Sequence, residues 1–344
     1  MKNVIKFLIL CTFIVSCSKS SDIPHSGSAF GGGVLVVNEG NFRGGNGSLS
    51  FYSYDSSKVT NDLFYAINGR PLGDVPYSIT IKEDKAFIVV NNSGKIEVID
   101  QASLVSKTTI TGLISPRIMA IVDDNKAYVS SLYSDSLTII NLNSNSILGY
   151  INIRRTSEAI TIAGSKAYVS NWAGGKEVMV INTVSDKLID SIEVGAEPES
   201  MVRDRYGMLW VLCNGGWARQ NFAELDQINT ITNRVAKKLV FSTKEASPTC
   251  LKIDGLGQTL YFIESGVRQM DIGAEIIPPA PLIQQSGAQF YQIAVNPINS
   301  DIFVTDAADY QQPGYLLLYK NNGLFVSKNK VGIIPGGMCF KLRN

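Results

Sequence analysis

The sequence predicts an all-β protein, a seven-bladed β-propeller of four-stranded blades closed by its own C-terminal strand. Three observations carry this. A short apolar motif recurs seven times at near-constant spacing. The segments between its copies alternate with a period of two. The last strand matches the one element that the first repeat lacks.

The motif is clearest as KAFIVV at 85–90, KAYVSS at 126–131 and KAYVSN at 166–171. Weaker copies are GVLVVN at 33–38, MLWVLC at 208–213, TLYFIE at 259–264 and DIFVTD at 301–306. The third residue of each copy is Leu35, Phe87, Tyr128, Tyr168, Trp210, Tyr261 or Phe303, with gaps of 52, 41, 40, 42, 51 and 42 residues. Units of about 40–50 residues indicate a propeller or a solenoid. Periodicity decides between them. Each copy is followed by a loop and a second alternating run, such as KIEVID, SLTIINL or EVMVINT, then a third, such as SKTTI, ILGYINI or KLIDSIEV. A fourth run precedes each copy, as in SITIKE, IMAIV and SMVRD. Runs of β-branched and aromatic residues with a period of two, punctuated by Gly, Asn and Asp, are strands. Four strands per repeat make a propeller blade. GVLVVN has no strand before it, whereas the chain finishes PGGMCFKL, which matches PESMVRD. The C-terminal strand should therefore complete blade one and leave no open edge there.

Ahead of the propeller the chain reads MKNVIKFLILCTFIVSC. Lys2 and Lys6 precede an apolar core too short for the roughly 20 residues of a membrane span, which is the pattern of a cleavable signal. Ile14-Val15-Ser16-Cys17 resembles a bacterial lipobox, with Cys17 as the lipidation site. The expected organisation is a signal peptide at 1–16, lipidated Cys17 with a polar, glycine-rich tether at 17–32, and the propeller at 33–344. A tether of that composition reaches roughly 20 Å. Without residues 1–16 there remain 29 basic and 30 acidic residues. That balance argues against nucleic acid or an anionic membrane as the main partner, leaving membrane contact to the lipid.

Cys213, Cys250 and Cys339 lie in strand patterns and read as buried thiols rather than disulfides. The only histidine, His25, falls in the tether, which removes the commonest general base and metal ligand from the folded body. No catalytic residue, metal site or cofactor is expected. Glu158 and Glu199 could form an acid–base pair, but Arg117 on a neighbouring blade supplies an ion-pair explanation.

In each blade two connections share one face: the loop after the motif and the loop approaching the first strand. The links on the other face, KEDK, DDNK, AGSK and DGLGQ, read as plain turns. Aligning the approach loops puts Tyr77, Arg117, Glu158, Glu199, Thr249, Tyr291 and Gly336 around the mouth of the central channel. The post-motif loops include NEGNFRGGNG, SLYSDS, NWAGGK, CNGGWARQNF and DAADYQQPGY. Asn46, Asn92 and Gly94 are explained as turn formers. Large aromatics among Gly and Asn are not, because they need something apolar to cover. Aromatics beside amides suit a large, partly apolar, amide-decorated ligand. The candidate contacts are Asn38, Asn41, Phe42, Tyr77, Arg117, Tyr133, Asn171, Trp172, Asn214, Trp217, Tyr291 and Tyr310.

The KAYVSN…VMVINT…DSIEVGAEPESM grammar resembles the YncE-like propeller repeats over residues 33–344. The lipobox followed by VVNEGNF is similar to the BtuG-type surface lipoproteins that bind cobalamin. That resemblance implies a lipid-anchored protein at the outer membrane, exposed to the cell surface. It would bind cobalamin or a related corrinoid tightly and pass it to a TonB-dependent transporter, without enzymatic activity. Two other readings stay open. One is an interaction scaffold of a nutrient-uptake complex that binds a protein or glycan. The other is a propeller enzyme of the lactonase sort.

Overall fold

The computed structural model describes residues 30–342. The signal peptide, Cys17 and most of the tether lie outside the described residues. Seven four-stranded antiparallel sheets form the ring. Blade two is representative: Pro76–Lys82, Lys85–Val90, Lys95–Asp100 and Ser106–Thr111 pair in sequence order. The first strands of neighbouring blades touch one another, so they line the central channel and the fourth strands lie outermost. Blade one takes its first strand from the far end of the chain, where Pro335–Lys341 pairs antiparallel with Gly33–Asn38. The closure read from the sequence is the closure of the ring.

Each repeat motif is the second strand of its blade, and its third residue is an anchor. Leu35, Phe87, Tyr128, Tyr168, Trp210, Tyr261 and Phe303 are all at most 1% exposed. Their polar tips are paired where they have one. Trp210 Nε1 donates to Asp204 Oδ2 at 3.0 Å, and Tyr168 donates to Asn233 Oδ1 at 2.9 Å. Apolar clusters lie between adjacent blades, for example Phe87 and Val98 of blade two against Met119 and Val129 of blade three. Cys213 and Cys250 are buried free thiols and Cys339 is half-buried.

Two local features depart from the reading of the sequence. Phe30, assigned to the tether, packs edge-on against Phe51 with ring centroids 5.4 Å apart, so the folded body starts three residues earlier. A short helix, Leu63–Asn68, follows the three-residue outer strand Lys58–Thr60 of blade one and buries Leu63 and Phe64. Among the described residues no helix is long and apolar enough to cross a membrane.

Candidate functional site

The channel mouth is shaped by a repeated irregularity in the first strands. Pro76 pairs with Val90 and Ser78 with Val89, which leaves Tyr77 as an extra residue. Glu199 is left over in the same way between Pro198 and Ser200, and Tyr291 between Phe290 and Gln292. A bulge bends the strand and re-aims its extra side chain, here toward the channel. The preceding backbone is left-handed at Val75, Ser115, Glu197 and Ile334, with φ of 57°, 40°, 53° and 49°. Such angles are unfavourable for β-branched residues, so backbone strain recurs around the mouth.

The seven aligned positions do meet there. Tyr77, Arg117, Glu158, Glu199, Thr249 and Tyr291 line one cleft. The seventh, Gly336, has no side chain, and Glu39 occupies its place: a Cβ on Gly336 would lie 2.8 Å from Glu39 Oε1. Arg117 grips Glu158 with Nε at 2.9 Å from Oε2 and Nη2 at 3.0 Å from Oε1. Its guanidinium also sits 3.5 Å from the Tyr77 ring centroid, while the Tyr77 hydroxyl donates to Glu158 at 2.8 Å. The Tyr291 hydroxyl donates to Glu39 at 2.8 Å. Glu199 accepts the Cys250 backbone N–H at 2.9 Å.

Burial pushes the Glu39 carboxyl up to about 7, against a smaller lowering by the Tyr291 hydrogen bond and Arg117. Burial likewise raises Glu199 above the usual carboxylate range. Burial pulls the Arg117 guanidinium down, but Tyr77 and Glu158 outweigh it and raise the group overall. The mouth therefore holds the Arg117–Glu158 ion pair and two carboxyls, Glu39 and Glu199, whose titration burial raises. Among the described residues no His, Cys, Asp and Glu cluster could hold a metal ion.

Above this floor the cleft has a volume of about 690 Å³. Trp172, Trp217, Tyr291, Phe290 and Tyr310 supply aromatic surface, and Asn214, Gln285, Gln289 and Gln292 supply amides. The Tyr291 and Tyr310 rings meet edge-on at 5.9 Å. Arg219 and Glu245 stand on the same wall, with the Arg219 guanidinium donating to the Glu245 carbonyl. A smaller cavity of about 270 Å³ continues down the channel between the first strands.

Of the twelve candidate contacts, Tyr77, Arg117, Trp172, Asn214, Trp217, Tyr291 and Tyr310 line this cleft. Five are placed elsewhere. Asn38 is fully buried. Its Nδ2 donates to Ser50 Oγ at 2.9 Å and its Oδ1 accepts the Gly332 N–H at 3.0 Å, so it clamps the blade rather than facing a ligand. Asn171 is 3% exposed and accepts from Thr156 Oγ1. Asn41 bonds the Tyr310 carbonyl and Asn46, which holds the blade-one loop against blade seven. Phe42 and Tyr133 are 66% and 77% exposed, outside the cleft, on loops of blades one and three. Asn214, although in the cleft, is turned partly to its own loop through the Gly216 N–H at 2.9 Å. Arg117 lines the cleft while paired with Glu158, the ion pair that the sequence allowed for.

The family described as "Domain of unknown function (DUF5074)" matches residues 32–331. The chain belongs to the DUF5074 family. Among curated proteins, none matches it. Solved structures share the fold of this DUF5074 protein. A putative 6-phosphogluconolactonase from Bacteroides uniformis is 10% identical, with a TM-score of 0.69 over 90% of this chain and 99% of that one. A quinonprotein alcohol dehydrogenase-like protein from Bacteroides thetaiotaomicron is 14% identical, with a TM-score of 0.68 over 90% and 78%. Virginiamycin B lyase from Staphylococcus aureus is 16% identical, with a TM-score of 0.61 over 78% and 89%. At these identities the likeness is one of fold.

In the DUF5074 chain, the sequence reading missed Glu39, Arg219 and the three glutamines. Gly336 carried a signal for Glu39: a glycine among six large or polar equivalents leaves room that a neighbouring side chain can fill.

Proposed function

We propose that this protein is an outer-membrane lipoprotein, exposed at the cell surface, that captures cobalamin or a related corrinoid and passes it to a TonB-dependent transporter. One observation carries the reading: a single cleft combines Trp172, Trp217, Tyr291 and Tyr310 with the amides of Asn214, Gln285, Gln289 and Gln292. A corrin is broad, partly apolar and edged with carboxamides, so aromatic faces can cover the ring while side-chain amides pair its edge. Its nucleotide loop carries one phosphate, which Arg219 at the rim can meet. The loops stand on a rigid ring, so little ordering entropy opposes binding.

The 91% exposure of Trp217 supports a second reading, a scaffold that uses the same aromatics to hold a protein or glycan. A lactonase-like enzyme is the third, and the fold likeness alone does not favour it. Purified protein mixed with cyanocobalamin at micromolar concentration and passed through a desalting column separates them. Co-elution of the red ligand with protein supports corrinoid capture. Colourless protein contradicts it and favours the scaffold.

A further inference from the structure

The face opposite the cleft is built from the turns between first and second strands and between third and fourth strands. In blades two and three these tips carry exposed acids, Glu83, Asp84, Asp123 and Asp124. In blades four to seven they carry Val184, Tyr206, Ile231, Leu256, Ile298 and Leu324, each between 65% and 87% exposed. A turn has no geometric need for a large apolar residue at its tip. These tips also adjoin one another. The Arg205 N–H donates to the Gly257 carbonyl at 3.0 Å, which joins the Tyr206 and Leu256 turns. Gly255 meets Pro297 so closely that a Cβ would sit 1.8 Å from its carbonyl oxygen, which joins the Leu256 and Ile298 turns. Thr230 Oγ1 donates to the Gly207 carbonyl at 2.8 Å, tying in the Ile231 turn, and Lys320 reaches Asp301 at 3.0 Å, tying Leu324 to Ile298.

The chain also enters the propeller from this face. The Phe30 N–H donates at 2.8 Å to the carbonyl of Ala102, in the third turn of blade two. Lys341, at the end of the closing strand, donates to the Phe30 carbonyl. A Cβ on Gly31 would lie 3.0 Å from a carboxylate oxygen of Asp55, in the corresponding turn of blade one. Cys17 lies only thirteen residues before Phe30, a span of at most about 45 Å.

We propose that this turn face rests on the lipid leaflet that holds Cys17, with the apolar tips of blades four to seven dipping among the headgroups and the cleft opening away from the membrane. The inference rests on the lipoprotein reading above. The tether makes the contact nearly intramolecular, so shallow insertion of a few side chains is enough to populate it. Arg205, whose guanidinium lies 5.6 Å from the Tyr206 ring centroid, stands where lipid phosphates would be. Because the chain is near neutral, the contact is apolar and holds on zwitterionic lipid. It adds a protein surface to the membrane contact expected from the lipid alone.

The test uses full-length lipidated protein on phosphatidylcholine vesicles, with a polarity-sensitive fluorophore on Ile298→Cys or, on the cleft side, Tyr133→Cys. The native Cys213 and Cys250 are buried, and the half-buried Cys339 is replaced by Ala in every variant so that the label is selective. The expected result is a blue shift and about threefold less iodide quenching at position 298 on vesicles, unaffected by salt, with position 133 unchanged. The double variant Leu256→Asp and Ile231→Asp should restore quenching at 298 while the protein still floats with the vesicles. Equal quenching at both sites on vesicle-bound protein overturns the docking and leaves the anchor standing. Protein that fails to float overturns the anchor and the docking together. Protection at 298 that grows with protein concentration without vesicles assigns the face to a second copy and also overturns the proposal.

Discussion

Blades two and three differ from blades five to seven in a way the ring symmetry does not require. The former keep the repeat motif nearly unchanged, have short loops above and carry acids at their lower turns. The latter carry Trp210, Tyr261 and Phe303 in diverged motifs, supply most of the cleft lining and expose apolar tips below. Every anchor on both sides is buried to the same degree. The core thus conserves one packing solution, while both faces were free to diverge on one side only. Departures from the repeat are therefore better guides to the site than the repeat itself, since anchors report packing and loops report binding.

Removing Pro335–Lys341 attacks both sides together, because blade one would lose its channel strand and expose the Gly33–Asn38 edge. Truncation before Pro335 should abolish the cooperative transition in urea; an unchanged midpoint would contradict the closure. The next largest effect separates the sides. Arg117 joins blade three to blade four and covers Tyr77 of blade two, and the Glu158 side chain is only 8% exposed. Arg117→Met should destabilise by about 3–5 kcal/mol, because it leaves a buried carboxylate unpaired. The double variant with Glu158→Gln should recover part of that loss in the same denaturation assay.

Glu39 gives a pH-dependent effect on the other side of the mouth. Its folded-state value of about 7 exceeds its ordinary 4.5, so between those values the folded protein binds more protons than the unfolded chain. Stability should therefore fall as pH rises from about 4.5 to 7 and level off above, by at most about 3 kcal/mol. Glu39→Gln should flatten the denaturation midpoint across that window. A midpoint in the wild type that rises with pH there would contradict the burial. Smaller still are the ligand effects. Trp172→Ala with Trp217→Ala should weaken cyanocobalamin retention at least tenfold, roughly 1.4 kcal/mol. Phe42→Ala and Tyr133→Ala should leave it within twofold.

Much of the ring was legible because burial recurs at fixed spacing. The anchors, the strand order and the channel-mouth positions all follow from a period of two within a period of about 40–50 residues. The site was legible only in part. Asparagine serves equally as a loop clamp and as a ligand contact, and nothing local distinguishes Asn38, sealed by Ser50 and Gly332, from Asn214 in the cleft. Loop position around the ring decided the fate of Phe42 and Tyr133, and length alone does not encode it. Glu39 came into the mouth because Gly336, nearly 300 residues later, left it space. The helix Leu63–Asn68 was missed because six residues are too few to show a helical period.

Hydrogen exchange with and without cyanocobalamin tests the central claim most directly, since it reports every loop of both sides at once. The account predicts added protection in the segments at 172–175, 214–222, 243–250 and 285–292, and none at 41–46 or 132–135. Protection confined to the loops of blades one to three, or no protection at saturating ligand, would contradict it.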